Sequence, residues 1–410
     1  MAGLATVDRG GDYILTVNGG SSSLKFALFR AESPAERLVD GKIERIGLPR
    51  ATLTTQRPAE KSETRSVDAL DQRAAVASLL SWLADESEAQ RLTAVGHRVV
   101  HGRDRYVDPC VITPEVCAEL RRSSALAPTH MAFELELIEA LAHERPGLFQ
   151  VACFDTAFHR TLPRVAQMLP LPRRLFDAGV RRYGFHGLSY TFLLEELERT
   201  AGSEVSQGRL ILAHLGNGAS LAAVAGGRSI DTTMALTPAS GVPMGTRSGD
   251  LDPGVVAFLA RSEGMSAERF DQLVQRESGL LGVSGISSDV RELLERAHVD
   301  HRASEAIDLF CYEIKKRIGA FAAVLGGLDG LVFSGGVGEN SAPIRERVCG
   351  GLEFLGLRID PARNAAGAPV ISPAGAPVTV RVIRTDEERV IAEAVARLLW
   401  TRPRSETRTR

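Results

Sequence analysis

Short apolar, β-branched runs alternate along this chain with longer stretches of helical period. Residues 13–17, 26–29, 94–100, 151–154, 210–213, 221–224, 331–333 and 378–383 read as strands. Residues 72–83, 133–142, 188–199, 290–297, 305–325 and 387–400 repeat apolar side chains at three- and four-residue spacing and read as helices. Strands alternating with helices predict α/β layers. The stretch 50–71 is polar and punctuated by Pro58, and predicts a loop excursion. Gly19 stands four residues before Ser23-Leu24 and Gly216 four before Ser220-Leu221, each after a predicted strand and leading into another, which predicts two related halves.

A length of 410 residues is enough for two or three domains with real cores. With 44% hydrophobic and 24% charged residues the composition is that of an ordinary globular protein, and no apolar run is long enough to span a membrane. A net charge of −2 supplies no global field for nucleic acid or anionic lipid, so an anion must be held by a local site. Five cysteines, Cys110, Cys117, Cys153, Cys311 and Cys349, form no CxxC pair or disulfide ladder and predict reduced thiols in cytoplasm. Residues 1–12 lack a basic stretch followed by an apolar core, so no export signal is expected, and the polar, basic residues 401–410 are expected to be a solvated tail.

Several local runs carry chemistry. Asn18 precedes GGSSSLK at 19–25, where two glycines allow close backbone approach, three hydroxyls can surround phosphate oxygens and Lys25 adds charge. The Walker A spacing is absent. HLGNGAS at 214–220 is a second Gly-rich turn, with Asn217 as a donor to an anion. SGGVGEN at 334–340 is a third, expected to precede a helix opening near residue 342 and to suit a nucleotide at close backbone range. One such turn is most often a hairpin; three are not explained that way. MGTRSGDLDP at 244–253 sets Arg247 among small residues with Asp250 and Asp252 nearby. In GHRVVHG at 96–102 the spacing of His97 and His101 falls on a β-branched run, against a helical zinc pair, which leaves Arg98 at a strand end as the useful group. CFDTAFH at 153–159 closes an apolar strand with Asp155, and RRYGFHG at 181–187 puts His186 on a Gly-flanked turn.

Together with TDEE at 385–388, these runs resemble the acetate kinase family in order and spacing from Ile14 to about Ala396. The resemblance implies an α/β fold of two duplicated actin-like, ribonuclease H-like domains around a nucleotide cleft, with closure over ATP. Residues 1–154 plus 388–410 would form the N-terminal domain and 155–387 the C-terminal, nucleotide-binding one. It implies reversible transfer of the ATP γ-phosphoryl to acetate, giving acetyl phosphate and ADP, with Mg2+ or Mn2+ as the metal, in a cytoplasmic homodimer.

By the same resemblance, Arg98 and Arg247 serve the acetate carboxylate and the migrating phosphoryl group. His186 donates to an equatorial oxygen, Asn18 steadies the same group, and Asp155 and Glu387, with Asn18, position the metal. Asn217 and Gly218 meet the β- and γ-phosphates, and Lys25, His214 and Gly216 belong to the nucleotide site. Gly336, Val337, Gly338 and Asn340 line the nucleoside side, and Asp289, Val290 and Arg291 meet ribose and adenine. Val100 and Pro238 wall the acyl pocket. The two guanidiniums are expected to converge beside the terminal phosphorus.

The chain departs from the family in four places. Thr129-His130-Met131-Ala132 stands where the family has LeuHisAsnPro, which puts a hydroxyl in the acyl wall. Asp386 replaces an Asn, adding charge near the metal ligands; HGLSY at 186–190 replaces HGTSH; and Gly19 replaces a frequent Cys. Propionate or another short-chain acid is an alternative acceptor. A sugar kinase would need an acid to take a hydroxyl proton. A non-enzymatic actin-like nucleotide switch would keep the phosphate turns without needing both arginines.

Overall fold

The computed structural model describes residues 12–20, 23–86, 91–123 and 128–401, the side chains of 123 and 128–130 excepted. The chain's start, the Ser21 and Ser22 hydroxyls, the Thr129 and His130 side chains and the tail from 402 onward lie outside the described residues. The chain divides into two compact units, one running to Ala157 and resuming at Asp386, the other Phe158–Thr385.

The first unit holds β1 (Tyr13–Gly19), β2 (Ser23–Arg30), β3 (Arg37–Glu44), β4 (Thr52–Gln56), β5 (Glu63–Ser66), β6 (Leu92–Val99), β7 (Cys110–Val111) and β8 (Phe149–Phe154), in the sheet order β5-β4-β3-β2-β1-β6-β8-β7. The second holds β9 (Leu210–Leu215), β10 (Ala219–Ala225), β11 (Arg228–Thr232), β12 (Gly330–Ser334) and β13 (Thr379–Val382), in the order β11-β10-β9-β12-β13. The run β3-β2-β1-β6-β8 pairs antiparallel, antiparallel, parallel, parallel. So does β11-β10-β9-β12-β13. The duplication hinted at by Gly19 and Gly216 is therefore a duplicated sheet topology, with the two Gly-Ser turns closing the equivalent hairpins β1–β2 and β9–β10. The fold is α/β with two actin-like sheets.

Parallel strands flanked by helices are apolar on both faces, which is why β8 and β12 are buried along their whole length. In the first unit, helices Gln72–Asp85 and Pro128–Glu144 cover one face, with Leu79, Trp82, Phe133, Leu137 and Leu141 packed on Val17, Phe26 and Val95. Helix Glu387–Thr401 lies on β1 and β6, where Ile391 and Val395 press so closely on Gly96 that a Cβ there would come within 2.3 Å of Ile391. In the second unit, helix His301–Leu325 buries Ile307, Phe310, Ile314, Ile318 and Phe321 at helical spacing, starts at the Asp300 cap and ends at left-handed Gly326. Among the described residues no helix is long and apolar enough to cross a membrane. All five cysteines are free thiols.

Two expectations are corrected. Residues 50–71 are not a loop excursion but contain the antiparallel pair β4–β5. Every residue of β5 is exposed, so an outer strand with no buried face left no apolar alternation to read. The turn at 334–340 is itself a helix, Gly335–Asn340, followed by a second helix, Ala342–Cys349.

Candidate active site

In the first unit, parallel pairing of β6 with β8 brings their C-terminal ends together. Arg98 near the end of β6 donates through Nη2 to Asp155 Oδ2, just beyond β8, and Asp155 N–H donates to Val99 O at 3.0 Å. Glu387 opens the last helix, and its Oε2 accepts from Asn18 Nδ2 at 3.1 Å. Asp155 is fully buried and Arg98 nearly so. Burial alone would favour a neutral Arg98, but Asp155, Glu387 and Glu134 hold it charged, above the ordinary range for arginine. Burial first, then the neighbouring Asp155 charge, pushes Glu387 up to about 7 against the pull of Arg98.

A cation fits this cluster. Asp155 Oδ1 is buried and without a hydrogen-bond partner, the Asp155 charge raises the cost of ionising Glu387, and Asn18, bonded to Glu387 through Nδ2, carries an amide oxygen as a further hard donor. Among the described residues no three His, Cys, Asp or Glu side chains form a closed metal cage. Two carboxylates beside an amide fit Mg2+, which keeps waters and shares one or two carboxylates with substrate phosphates.

The second unit gathers donors. His186 is held in the left-handed region (φ 59°) at the start of helix Gly187–Ala201, a strained conformation for a residue with a side chain. Its Nδ1 shares a hydrogen bond with Ser220 Oγ at 2.8 Å, and its ring stacks on His214 with centroids 4.3 Å apart. Thr385 Oγ1 donates to Ser189 Oγ at 2.9 Å, and Ser189 Oγ shares a hydrogen bond with His214 Nδ1 at 2.8 Å. His214 Nε2 faces the turn at Gly216. Gly218 has no side chain where one would stand 3.2 Å from His186 Nε2 and 3.4 Å from Arg247 Nη1, so its bare Cα leaves room for a group that both can reach. Arg247 Nη1 donates to Pro238 O at 3.1 Å, and Gly245 N–H to Asn217 O at 3.3 Å, tying the arginine's turn to the Asn217 turn.

Beside this group opens a cavity of about 740 Å³. Of the residues expected at the nucleotide, Gly216, Asn217, Asp289, Val290, Arg291, Gly336, Val337 and Asn340 line it. Asp289 caps helix Val290–Arg296 by accepting from Arg291 N–H, and the Arg291 guanidinium holds its carboxyl below the ordinary range. Gly338 does not line the cavity; its carbonyl accepts from buried Arg345. Lys25 stands exposed on β2 of the first unit, paired in register with Asn18, and is not a lining residue. Val100 is buried in the first unit.

The sequence profile of the acetokinase family matches residues 13–393. The chain belongs to the acetokinase family. An acetate kinase of Rhodopseudomonas palustris (strain TIE-1) is 47% identical over 393 residues, covering 94% of this chain and 98% of its own length. A propionate kinase of Citrobacter freundii is 43% identical, covering 94% and 96%. The crystal structure of Porphyromonas gingivalis acetate kinase matches with a TM-score of 0.85 at 40% identity, over 95% of this chain and 100% of that one.

Three departures of this acetokinase chain acquire a physical setting. The charge of Asp386 is directed to Arg37 and to the Arg389 N–H rather than left beside Glu387. Gly19 is imposed by Phe133, whose ring lies 2.2 Å from where a Cβ would stand. Ser189 and Tyr190 of HGLSY both enter the imidazole network, Ser189 on His214 and Tyr190 on Ser220.

Sequence reasoning missed Thr385, Glu339, Arg345 and Glu134. Glu339 Oε1 accepts from Gly335 N–H at 2.9 Å and from Thr385 N–H at 3.0 Å, pinning the start of the Gly-rich helix. Both residues lie inside quoted runs, and the Glu339 carboxyl beside Gly338 was the available signal. His97 is a core residue, hydrogen-bonded through Nε2 to Gln150 at 2.6 Å and pushed down to about 4 by burial.

Proposed function

We propose that this chain is an acetate kinase, transferring the γ-phosphoryl of ATP directly to acetate, reversibly, to give acetyl phosphate and ADP. The observation that supports it most is the convergence of His186 Nε2 and Arg247 Nη1 on the bare Cα of Gly218, beside a cavity of nucleotide size. Acetate is already ionised at neutral pH, so no general base is needed. The difficulty is bringing one anion to another and stabilising charge spread over the equatorial oxygens.

In this reading Arg98 and Arg247 both serve the carboxylate and the migrating phosphoryl group. His186 donates to an equatorial oxygen and Asn18 steadies it. His214 holds the phosphate chain together with Asn217, Gly218 and Lys25. The cavity lining takes the nucleoside, with Asp289, Val290 and Arg291 toward ribose and adenine and Gly336, Val337 and Asn340 opposite. Val100 and Pro238 wall the acyl group. Mg2+, or Mn2+ in its place, neutralises phosphate charge when held by Asp155, Glu387 and Asn18.

Propionate is the second acceptor to consider, because propionate kinases are among the chain's relatives and one methylene changes discrimination by only about 1–3 kcal/mol. We also propose a cytoplasmic homodimer: the thiols are free, and helix Gly254–Glu263 buries none of its residues while Val256 and Phe258 stay exposed. The deciding assay traps the acyl phosphate as hydroxamate, with acetate, propionate and butyrate supplied against ATP and Mg2+. Formation of acetyl hydroxamate with the highest kcat/KM for acetate supports the reading; no acyl phosphate from any of the acids overturns it.

A further inference from the structure

Glu134 has no place in the roles above, yet it is a carboxyl taken out of water. It sits on helix Pro128–Glu144 between Phe133 and Leu135 with 2% of its surface exposed. Burying such a group is costly unless it is paired and hydrogen-bonded. Its two oxygens accept the Val100 N–H at 3.2 and 3.0 Å, and Oε1 lies 3.9 Å from Arg98 Nη1.

Val100 is the first residue past the end of β6, so its N–H lies beyond the strand's ladder, and a helix side chain takes the place of a strand partner. The same carboxyl stands beside one arm of the Arg98 guanidinium while Asp155 takes the other arm, which fixes the rotation of the fork.

We propose that Glu134 is a positioning and specificity-determining residue for the acceptor acid: it sets where the Val100 wall and the Arg98 fork stand relative to one another. This rests on the acetate kinase reading. Burial, opposed by Arg98 and by the Val100 N–H, pushes the carboxyl up to about 8. Glutamine keeps the side-chain length and one acceptor oxygen for the Val100 N–H. Aspartate retracts the oxygens by one methylene, and methionine fills the volume with no comparable acceptor.

The test compares E134Q, E134D and E134M with the wild-type chain by hydroxamate trapping, with circular dichroism to verify folding. E134Q is expected to stay within about twofold of wild type. E134D and E134M are expected to raise the acetate KM about tenfold with the ATP KM within about twofold, and to shift the propionate-to-acetate ratio of kcat/KM about fivefold. A purely structural role would move both KM values together and leave that ratio alone; that result, or a folded E134D with both readouts unchanged, overturns the proposal. Wild-type amide exchange gives a reading that needs no variant: the Val100 N–H is expected to be protected, and fast exchange there rejects the Glu134 contact. A wild-type chain inert toward every acid would remove the function reading and this proposal together, whereas an active wild type with an unaffected E134D removes Glu134 alone.

Discussion

Arg345 does not line the cavity, yet its loss should be felt there. The side chain is 1% exposed, and its guanidinium donates to Asn364 Oδ1 at 2.8 Å, to Asn364 O at 2.9 Å, and to the carbonyls of Gly338 and Glu339, both at 2.9 Å. Those last two belong to helix Gly335–Asn340, whose C-terminal carbonyls have no intrahelical donors. Arg345→Met keeps much of the volume and strips four acceptors of their donor. A buried acceptor left unsatisfied costs about 1–3 kcal/mol. Four of them, partly relieved because the variant no longer buries a charge, come to about 4 kcal/mol. At about 2–4 °C per kcal/mol for a unit of this size, the melting transition of Phe158–Thr385 should fall by roughly 8–16 °C. Gly336, Val337 and Asn340 of the loosened helix line the cavity, so the ADP Kd should rise several-fold while the acetate KM holds. Arg345→Lys, which can serve only some of the acceptors, should fall between. Calorimetric melting and ADP titration check both parts; a transition within about 2 °C of wild type with an unchanged ADP Kd would refute the reasoning.

Arg98→Ala and Arg247→Ala should each lower phosphoryl transfer by about two to four orders of magnitude with ADP affinity nearly kept, as judged by turnover beside nucleotide titration; equal losses in both would recast the arginines as nucleotide-binding groups. His186→Ala should lower kcat more than it raises either KM, and the reverse split in steady-state kinetics would place His186 in ground-state binding. Glu134 and Glu387, pushed up to about 8 and about 7, hold protons in the folded chain that the unfolded chain has released above about 4.5. Buried His97 and His159, both pushed down to about 4, return about 0.4 kcal/mol each over the same range, so stability should fall by about 1.5–2 kcal/mol from pH 6.5 to 8 in urea unfolding without metal. A flat or rising profile would contradict that sign. Added Mg2+ should stabilise more at pH 8 than at 6.5, because it requires the deprotonated Glu387; a thermal-shift series at the two pH values decides.

The alternation of strands and helices was legible wherever one face or both were apolar. β8 and β12 announced themselves because every position is buried, and helix His301–Leu325 because its buried residues recur at helical spacing. β5 was illegible for the opposite reason. The helix Gly335–Asn340 was hidden by its own composition, since three glycines in six residues argue for a turn, while the tertiary bonds from Glu339 and Arg345 hold it as a helix. Glu134 escaped because a helix pattern assigns a carboxylate to the wet face; only the Val100 N–H and the Arg98 guanidinium, brought by a strand more than thirty residues earlier, explain its burial.

The duplicated sheets carry opposite chemistry at equivalent places. At the hairpin β1–β2 the first unit sets Asn18 beside Glu387, and at the ends of its parallel strands it sets Arg98 against Asp155, so that acids outnumber the cation and a further cation is welcome. At the equivalent hairpin β9–β10 the second unit sets Asn217 and Gly218 beside His186 and Arg247, groups that favour an anion. Duplication supplied the same strand-turn-strand frame twice, and the side chains then diverged by sign. Phosphoryl transfer in general calls on both kinds of group, donors for the growing charge on the phosphoryl oxygens and acids for a metal ion. Burial and the neighbouring Asp155 charge raise the cost of ionising Glu387, while the same acids keep the buried Arg98 charged.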